Sequence, residues 1–170
     1  VIAGSANQTA TASAKLSDQD QQAVATLIQQ AIAEAKTATV LSPTNVIAWE
    51  NLGRIYQNLL GVADGAQGWA AASYEKAVQL DPTNPLLRIE LGGISMRMGN
   101  IDGAIDQFKA AATLKRDFAN AYYNLANAFV VKKDTQSSIA ALEETLKLIP
   151  EGSSDWQKAN NQLEELRKKN

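Results

Sequence analysis

The sequence predicts an all-α fold, an α-solenoid in which helical hairpins stack in chain order. Small and large apolar residues recur at intervals of 34 residues along most of the chain. Within each interval, apolar residues follow the three- and four-residue spacing of a helix with one buried face. Pro82, Pro150 and the pair Gly99-Asn100 fall between the predicted helices, where the chain has to turn.

The 34-residue period is clearest in the second half of each unit, where four columns alternate between small and large residues. These columns are Ala70, Ala104 and Ser138; Tyr74, Phe108 and Leu142; Ala77, Ala111 and Thr145; and Leu80, Leu114 and Leu148. In the first half, Leu91 and Leu125 keep the interval, whereas Leu52 precedes Leu91 by 39 residues. The excess of five residues predicts one insertion in the first unit. A single hairpin cannot bury both of its faces, so the units are expected to stack.

The columns resemble those of the tetratricopeptide-repeat family. The family pattern is a large residue, Leu-Gly, an aromatic residue, then Ala, an aromatic residue, Ala and Pro. The first unit matches it with Trp49, Leu52-Gly53, Tyr56, Ala70, Tyr74, Ala77 and Pro82, and the later units match most places. Arg88, Ser95 and Arg116 in the second unit depart from the pattern. The resemblance covers Val46 to Gly152 and implies three repeats, at 46–84 with the insertion, 85–118 and 119–152.

Local signals predict where individual helices begin and end. Asn84 is expected to cap a helix that starts at Pro85, where no amide hydrogen is needed. The pair Gly99-Asn100 is expected to end that helix. The insertion contains Leu59, Leu60, Val62 and Trp69, which either fold back onto the first repeat or form an apolar docking edge.

Each end of the repeat array is predicted to carry an additional helix. Residues 17–42 read as one long helix that begins with a capping box of Ser17 and Asp20 and covers the first repeat. Its expected buried stripe is Ala23, Leu27, Ala31, Ala35 and Ala38. Residues 153–170 read as a capping helix with Trp156, Ala159, Leu163 and Leu166 on its apolar face. Residues 1–16, rich in Ala, Ser and Thr, are predicted to be a flexible linker.

Composition argues against several classes of function. The chain contains no cysteine and no histidine, which removes the commonest catalytic bases, thiolate nucleophiles and zinc ligands. A net charge of -2 does not suit a nucleic-acid binder. No apolar run reaches the roughly 20 residues of a membrane-spanning helix. We therefore expect a soluble domain that is not an enzyme, has no cofactor or metal, binds no nucleic acid and does not itself insert into a membrane.

The resemblance implies a binding surface on the first helix of each repeat. In the family these helices line a concave wall, and defined places in each of them face a ligand. The residues expected to contact a peptide are Asn51, Arg54, Asn58, Ile89, Met96, Arg97, Asn120, Tyr123, Asn124, Asn127 and Val131. The family's clamp for a carboxy-terminal carboxylate needs Lys at the fifth place of its first unit. This chain has Glu50 there, so that clamp is not predicted.

Asparagines are the most informative of these residues. In related proteins, asparagines at the sixth and ninth places grip the peptide main chain, and Asn51, Asn124 and Asn127 match those places. A side-chain amide offers both a donor and an acceptor, which suits the backbone of an extended peptide. The alternative interpretation is a polar face that is simply solvated.

The sequence therefore predicts a protein–protein interaction module that binds an extended peptide or a helix in its groove. The alternative is self-association that clusters a larger parent chain, and the expected state is a monomer or a weak homo-oligomer. Residues 49–77 are also similar to tetratricopeptide tails on multi-spanning bacterial membrane proteins of the O-antigen-ligase type. That similarity would make residues 1–16 a tether and the chain a bacterial one. It leaves the compartment unknown.

Overall fold

Helices account for most of residues 17–168, the part of the chain described by this computed structural model. The expected linker at 1–16 lies outside the described residues, as do residues 169–170. The described helices are α1 (Asp18–Leu41), α2 (Val46–Asn58), α3 (Ala66–Leu80), α4 (Pro85–Arg97), α5 (Ile101–Leu114), α6 (Ala119–Lys132), α7 (Thr135–Leu148) and α8 (Ser154–Lys168).

The helices pack in chain order as a stack of hairpins. The most extensive contacts join α2 to α3, α4 to α5 and α6 to α7, and each of these pairs corresponds to one predicted repeat. Contacts of α3 with α4 and of α5 with α6 join successive units, while α1 packs on α2 and α8 packs on α7. The first helices α4 and α6 also touch each other directly. The predicted all-α solenoid is confirmed.

Asparagine and glycine fix the ends of the repeat helices as the sequence indicated. The Asn84 Oδ1 atom accepts a hydrogen bond from the Leu86 amide at 3.0 Å, and Pro85 occupies the first helical position of α4. At the other end of α4, Gly99 has a φ of +76°, a left-handed conformation that glycine adopts without a steric cost. Asn100 then caps α5 through a 3.0 Å bond from the Gly103 amide.

Close approach of the two helices in a repeat depends on a glycine facing an aromatic ring. A Cβ atom placed on Gly53 would lie 3.0 Å from the Tyr74 ring, and one placed on Gly92 would lie 2.5 Å from the Phe108 ring. Both rings are almost fully buried. The third repeat has Ala126 at the glycine place and Leu142 at the ring place, so a larger residue on one helix accompanies a smaller one on the other. The Leu-Gly pattern is thus a packing requirement.

Arg88, a departure from the family pattern, makes the same connection as the tryptophan that it replaces. The Trp49 indole Nε1–H donates to the Pro43 carbonyl oxygen at 2.8 Å. One repeat later, the Arg88 guanidinium donates to the Pro82 carbonyl oxygen from Nε at 3.2 Å and from Nη2 at 3.0 Å. In both repeats the first helix is therefore tied to the carbonyl six residues before the donor.

The buried stripe of α1 differs from the predicted one. The start of the helix agrees with the prediction, because the Ser17 Oγ atom accepts from the Asp20 amide at 3.1 Å. The side chains that pack against the first repeat, however, are Ile28, Ile32 and Ala35, and Thr39 is the buried residue of the helix. Of the five predicted residues, Ala35 alone is partly buried; Ala23, Leu27, Ala31 and Ala38 are exposed. The predicted stripe was wrong by about one residue, which turns a helix by roughly 100°.

The last helix covers the third repeat with the predicted apolar face. Ala159 and Leu163 are buried, and Trp156 and Leu166 are half-buried. Arg167 of this helix forms ion pairs at the surface, including the 2.9 Å contact of its Nη2 atom with Glu143 Oε1 on α7. Helix α8 is therefore packed along one side and exposed along the other.

One part of the insertion folds back onto the first repeat, and another part forms an exposed apolar edge. Leu59 is buried and Leu60 is half-buried, whereas Val62 and Trp69 are 73% and 52% exposed. The Trp69 ring stacks on Tyr56 with centroids 6.0 Å apart, and Lys36 Nζ lies 4.7 Å from the Trp69 ring centroid. Part of the insertion thus belongs to the core, and part of it presents an apolar surface.

Candidate ligand-binding wall

The candidate wall is the surface formed by the first helices α2, α4 and α6 together with the start of α8. Most of the residues predicted to contact a ligand have accessible side chains. Arg54, Asn58, Arg97, Asn120 and Val131 are exposed, and Asn51, Met96, Tyr123, Asn124 and Asn127 are half-buried. Ile89 is the exception.

Ile89 is a core residue in the structure. Its side chain is 8% exposed and belongs to a hydrophobic cluster that also contains Ile105 and Leu125. Because α4 contacts α6 directly, an apolar side chain between these helices is covered by protein. Ile89 therefore offers little surface to a ligand, and its role is to join neighbouring repeats.

Hydrogen bonds join polar side chains at the amino-terminal end of the wall. Tyr74 Oη donates to Gln57 Oε1 at 2.8 Å, and Gln57 Nε2 donates to Glu90 Oε2 at 2.9 Å, so one chain of bonds links α3, α2 and α4. Burial, together with the nearby carboxylates of Glu90 and Glu50, raises the pKa of the Tyr74 hydroxyl. The hydroxyl therefore stays protonated and keeps donating at physiological pH.

This network was not predicted, although the sequence contains a signal for it. Tyr74 stands in one of the packing columns, and a packing column by itself indicates nothing about a hydroxyl group. Gln57 and Glu90 lie on consecutive first helices, at places that face the wall. A donor and an acceptor in such places indicate a bond between repeats. The predicted residues nearby form a separate pair, because Arg54 Nη2 donates to Asn51 Oδ1 at 2.6 Å.

Asparagines dominate the carboxy-terminal end of the wall. Asn124 Nδ2 donates at 2.9 Å both to the Asn120 backbone oxygen and to Asn120 Oδ1. Gln162 Nε2 on α8 donates to Asn127 Oδ1 at 2.9 Å. The bond to Gln162 uses the Asn127 carbonyl and leaves its amide nitrogen able to donate to a ligand.

A cavity of about 560 Å³ lies at this end of the wall, and Asn120 is the asparagine that lines it. It contains two of the predicted residues, Asn120 and Tyr123, and its lining extends from α6 to the start of α8. The lining residues are Asp117, Phe118, Ala119, Asn120, Tyr123, Thr145, Ile149, Asp155 and Lys158. Lys158 Nζ lies 5.3 Å from the centre of the Tyr123 ring, a cation–π distance. The cavity thus combines an aromatic surface with an amide and with charges of both signs.

Arg97 lies elsewhere, beside the insertion. It lines a smaller cavity of about 270 Å³ whose other walls come from the insertion and the start of α3. The residues are Leu60, Gly61, Ala63, Asp64, Gly65, Ala66, Gln67 and Arg97. The structure therefore brings Asn120, Tyr123, Asn124 and Asn127 together on α6 and places Arg97 at a different site.

Comparison with known proteins supports the repeat assignment. The family model described as "TPR repeat" matches residues 92–132, and that described as "Tetratricopeptide repeat" matches residues 119–151. The part of the chain from residue 92 to residue 151 therefore carries tetratricopeptide repeats. Arrays of this family are generally interaction scaffolds and not enzymes.

A curated relative matches a short part of its own length. Protein O-mannosyl-transferase TMTC1 of Mus musculus is 35% identical to this tetratricopeptide-repeat chain over 88 residues. The match covers 49% of this chain and 9% of the relative. The chain thus spans less than a tenth of the length of that protein.

Solved structures share the fold of this tetratricopeptide-repeat chain. MamA has a TM-score of 0.67 and 23% identity, and the match covers 91% of this chain and 95% of MamA. The first TPR of Spaghetti (RPAP3), bound to the HSP90 peptide SRMEEVD, has a TM-score of 0.62 and 21% identity. That match covers 72% of this chain and 90% of the other. At these identities the likeness concerns the fold.

Two further observations on residues 17–168 concern metal binding and membrane crossing. Acidic side chains do not gather there in groups of three or more that could hold a metal ion. The helices of the same segment also lack the combination of length and apolar character needed to cross a bilayer.

Proposed function

We propose that this protein is an interaction module that binds an extended peptide segment along the carboxy-terminal half of the candidate wall. The observation that carries the proposal is the 560 Å³ cavity lined by Asn120 and Tyr123, with Asn124 and Asn127 on the same helix. Its volume lies within the range of about 300–1,000 Å³ that is typical of ligand sites.

The chemistry of these residues suits a peptide main chain with one anchoring side chain. The asparagine amides donate to and accept from peptide carbonyl and N–H groups, which every sequence provides. Tyr123 and Phe118 offer aromatic surface to an apolar part of the ligand. Asp117, Asp155 and Lys158 add charges that select among ligands by their own charge.

The fold neighbour bound to an HSP90 peptide supports peptide binding as a use of this fold. The first repeat here has Glu50 where the family's carboxylate clamp needs lysine. We therefore propose that the ligand is an internal segment and not a free carboxyl terminus. Amidating the carboxyl end of a bound peptide should leave its dissociation constant unchanged within a factor of about two, which fluorescence anisotropy measures. A tenfold weakening would contradict this part of the proposal.

A peptide selected from a random twelve-residue display library is the probe for the wall itself. Its dissociation constant is measured for the wild type and for the double variant Asn124→Ala/Asn127→Ala. Two lost main-chain hydrogen bonds, at about 1 kcal/mol each, predict an affinity weakened by about 30-fold. The matched control is Gln79→Ala/Gln136→Ala, which removes two exposed amides from the second helices α3 and α7.

Equal affinities of the wild type and the wall variant would overturn the proposal, and so would a loss confined to the control. Asn127→Ala also removes the bond from Gln162, so the melting temperature of each variant is measured alongside. The single variant Asn124→Ala separates binding from stability, because the Asn124 side chain bonds to Asn120 within the same helix and to no other helix of residues 17–168.

A further inference from the structure

An open apolar stripe runs along α1 beside the face that packs on the first repeat. Val24, Leu27 and Leu41 are 43%, 63% and 77% exposed, and the intervening Ala31 and Ala38 are also exposed. A neighbouring face, roughly 100° around the helix, packs on the first repeat through Ile28, Ile32, Ala35 and Thr39. Helix α1 is therefore apolar on two faces, and the described residues cover one of them.

The repeats show what normally covers such a stripe. Ala31, Ala38 and Leu41 stand at the same places of the repeat pattern as Ala70, Ala77 and Leu80. In α3, Ala70 and Ala77 are completely buried, as are Ala104 and Ala111 in α5. Each of these helices packs extensively on the first helix of its own repeat. Among the described residues, α1 is a second helix without such a first helix, so its stripe lacks the helix that the pattern pairs with it.

The stripe has the spacing of a seam between two helices. Its residues are alternately three and four positions apart, which keeps them on one line along a pair of helices. They are Val24, Leu27, Ala31, Glu34, Ala38 and Leu41. Five of the six are apolar, and the alanines allow a neighbouring helix to approach closely.

The stripe can pair with the same stripe of a second copy that runs in the opposite direction. If a second α1 lies antiparallel with a two-fold axis between Ile32 and Ala33, Val24 faces Leu41 and Leu27 faces Ala38. Ala31 then faces Glu34, and every pair recurs on the other side of the axis. In two of the three pairs, Leu27 with Ala38 and Glu34 with Ala31, a long side chain meets a methyl group, which suits close packing. Such a two-fold contact closes on itself and gives a dimer.

The length of α1 supports the same arrangement. It has 24 residues, whereas the second helices α3, α5 and α7 have 15, 14 and 14. Aligning the repeats places the first residue of α3 at Leu27, so residues 18–26 extend beyond the repeat pattern. In the antiparallel pair this extension, with Val24, lies along the second half of the other copy's helix. The extra turns thus complete the contact.

We infer from these observations that the open stripe of α1 is a self-association surface, through which two copies of this chain pair with antiparallel α1 helices. The contact is small, consisting of six seam positions from each copy, and one of them is a carboxylate. A weak dimer with a micromolar dissociation constant is therefore expected. The wall formed by α2, α4 and α6 takes no part in it.

Sedimentation velocity over a concentration series tests the inference with one disruptive and one strengthening variant. Leu27→Glu places a carboxylate in the seam and should weaken dimerisation at least tenfold. Glu34→Leu removes the charge and completes the apolar seam, so it should strengthen dimerisation at least tenfold. The control is Val62→Glu, which adds the same charge to a similarly exposed apolar residue of the insertion. It should leave the equilibrium unchanged.

Engineered disulfides test the antiparallel register, since the chain has no cysteine of its own. An equimolar mixture of Leu27→Cys and Ala38→Cys chains should form a mixed disulfide under mild oxidation, because these residues face each other. Either variant alone should not link, because identical positions lie far apart in an antiparallel pair. Efficient linking of Ala38→Cys to itself would show a parallel pair and contradict the register.

The outcomes decide between the possible occupants of the stripe. A wild-type chain that stays monomeric at hundreds of micromolar overturns the inference, and something other than a second copy then covers the stripe. Loss of the dimer in Val62→Glu but not in Leu27→Glu would place self-association on the insertion. Circular dichroism of each variant checks that its helices are retained, and Glu34→Leu provides a result that unfolding cannot imitate.

Discussion

Pairs of side chains across the helical hairpins show how the repeat adjusts its packing. In the first two repeats, a glycine on one helix faces a large aromatic ring on the other. The pairs are Gly53 with Tyr74 and Gly92 with Phe108. In the third repeat the corresponding pair is Ala126 with Leu142, and both residues are completely buried. The two helices of each repeat can approach closely because each such pair fills a similar volume.

The neighbouring glycines of α4 give a sharp test of this packing. Gly92→Ala should lower the free energy of unfolding by about 1–3 kcal/mol, because its Cβ atom would lie 2.5 Å from the buried Phe108 ring. Gly93→Ala, in the same helix, has open space at its Cβ position and should raise stability by about 0.5–1 kcal/mol. Urea unfolding followed by circular dichroism measures both. Equal effects of the two substitutions would contradict the packing account.

The hydroxyl of Tyr74 gives a second test at this scale. Tyr74→Phe keeps the ring but leaves the Gln57 carbonyl without its donor in a partly buried network. The expected loss is about 1–2 kcal/mol of unfolding free energy. Tyr56→Phe is the matched control, because Tyr56 is also buried and its hydroxyl makes no hydrogen bond within residues 17–168. A loss of similar size in the control would show that the Tyr74 network adds nothing specific.

At the scale of whole helices, α8 is predicted to stabilise the array by covering its last repeat. Truncation after Gly152 exposes α7 surface that Ala159 and Leu163 now cover, and each large buried side chain contributes roughly 1.5–3 kcal/mol. A drop in the melting temperature of about 5–10 °C is expected. In the full-length chain, Leu163→Ala should show part of the drop, and the exposed Glu165→Ala should show none. A truncated chain that melts at the wild-type temperature would contradict the capping role.

Helix ends could be predicted from sequence, whereas the packed face of α1 could not. Asn84, Pro85 and Gly99 act through their own backbone and side-chain chemistry, so their effect is local and readable from the sequence. The face that α1 buries depends on which neighbours exist. Its alanines match the columns that face a first helix, and the described residues provide no first helix before α1, so Ile28 and Ile32 pack instead.

At the scale of the molecule, the candidate wall was predictable in position but not in detail. The repeat register places Asn120, Tyr123, Asn124 and Asn127 on α6, and the structure adds a cavity lined by the first two of them. Ile89 was predicted to contact a ligand but is a core residue, because direct contact between α4 and α6 leaves no room for a ligand there. The bond from Gln162 to Asn127 joins α8 to α6, so it depends on a distance that the sequence does not contain.

The two proposed surfaces lie on different parts of the molecule. The wall uses α2, α4, α6 and α8, whereas the inferred self-association uses the exposed stripe of α1. A dimer would therefore present two walls at once. A ligand with two copies of the bound segment would gain apparent affinity through the increased effective concentration of the second site, provided that its linker spans the two walls.

The most direct test of the account is to locate a bound peptide on the protein. A peptide selected from the random library is synthesised with a photoreactive benzophenone side chain, cross-linked to the wild-type protein and mapped by mass spectrometry. The account predicts adducts on α6 and the start of α8, around Asn120, Tyr123 and Lys158, and their loss in competition with unlabelled peptide. Competable adducts confined to the second helices α3, α5 and α7 would contradict it.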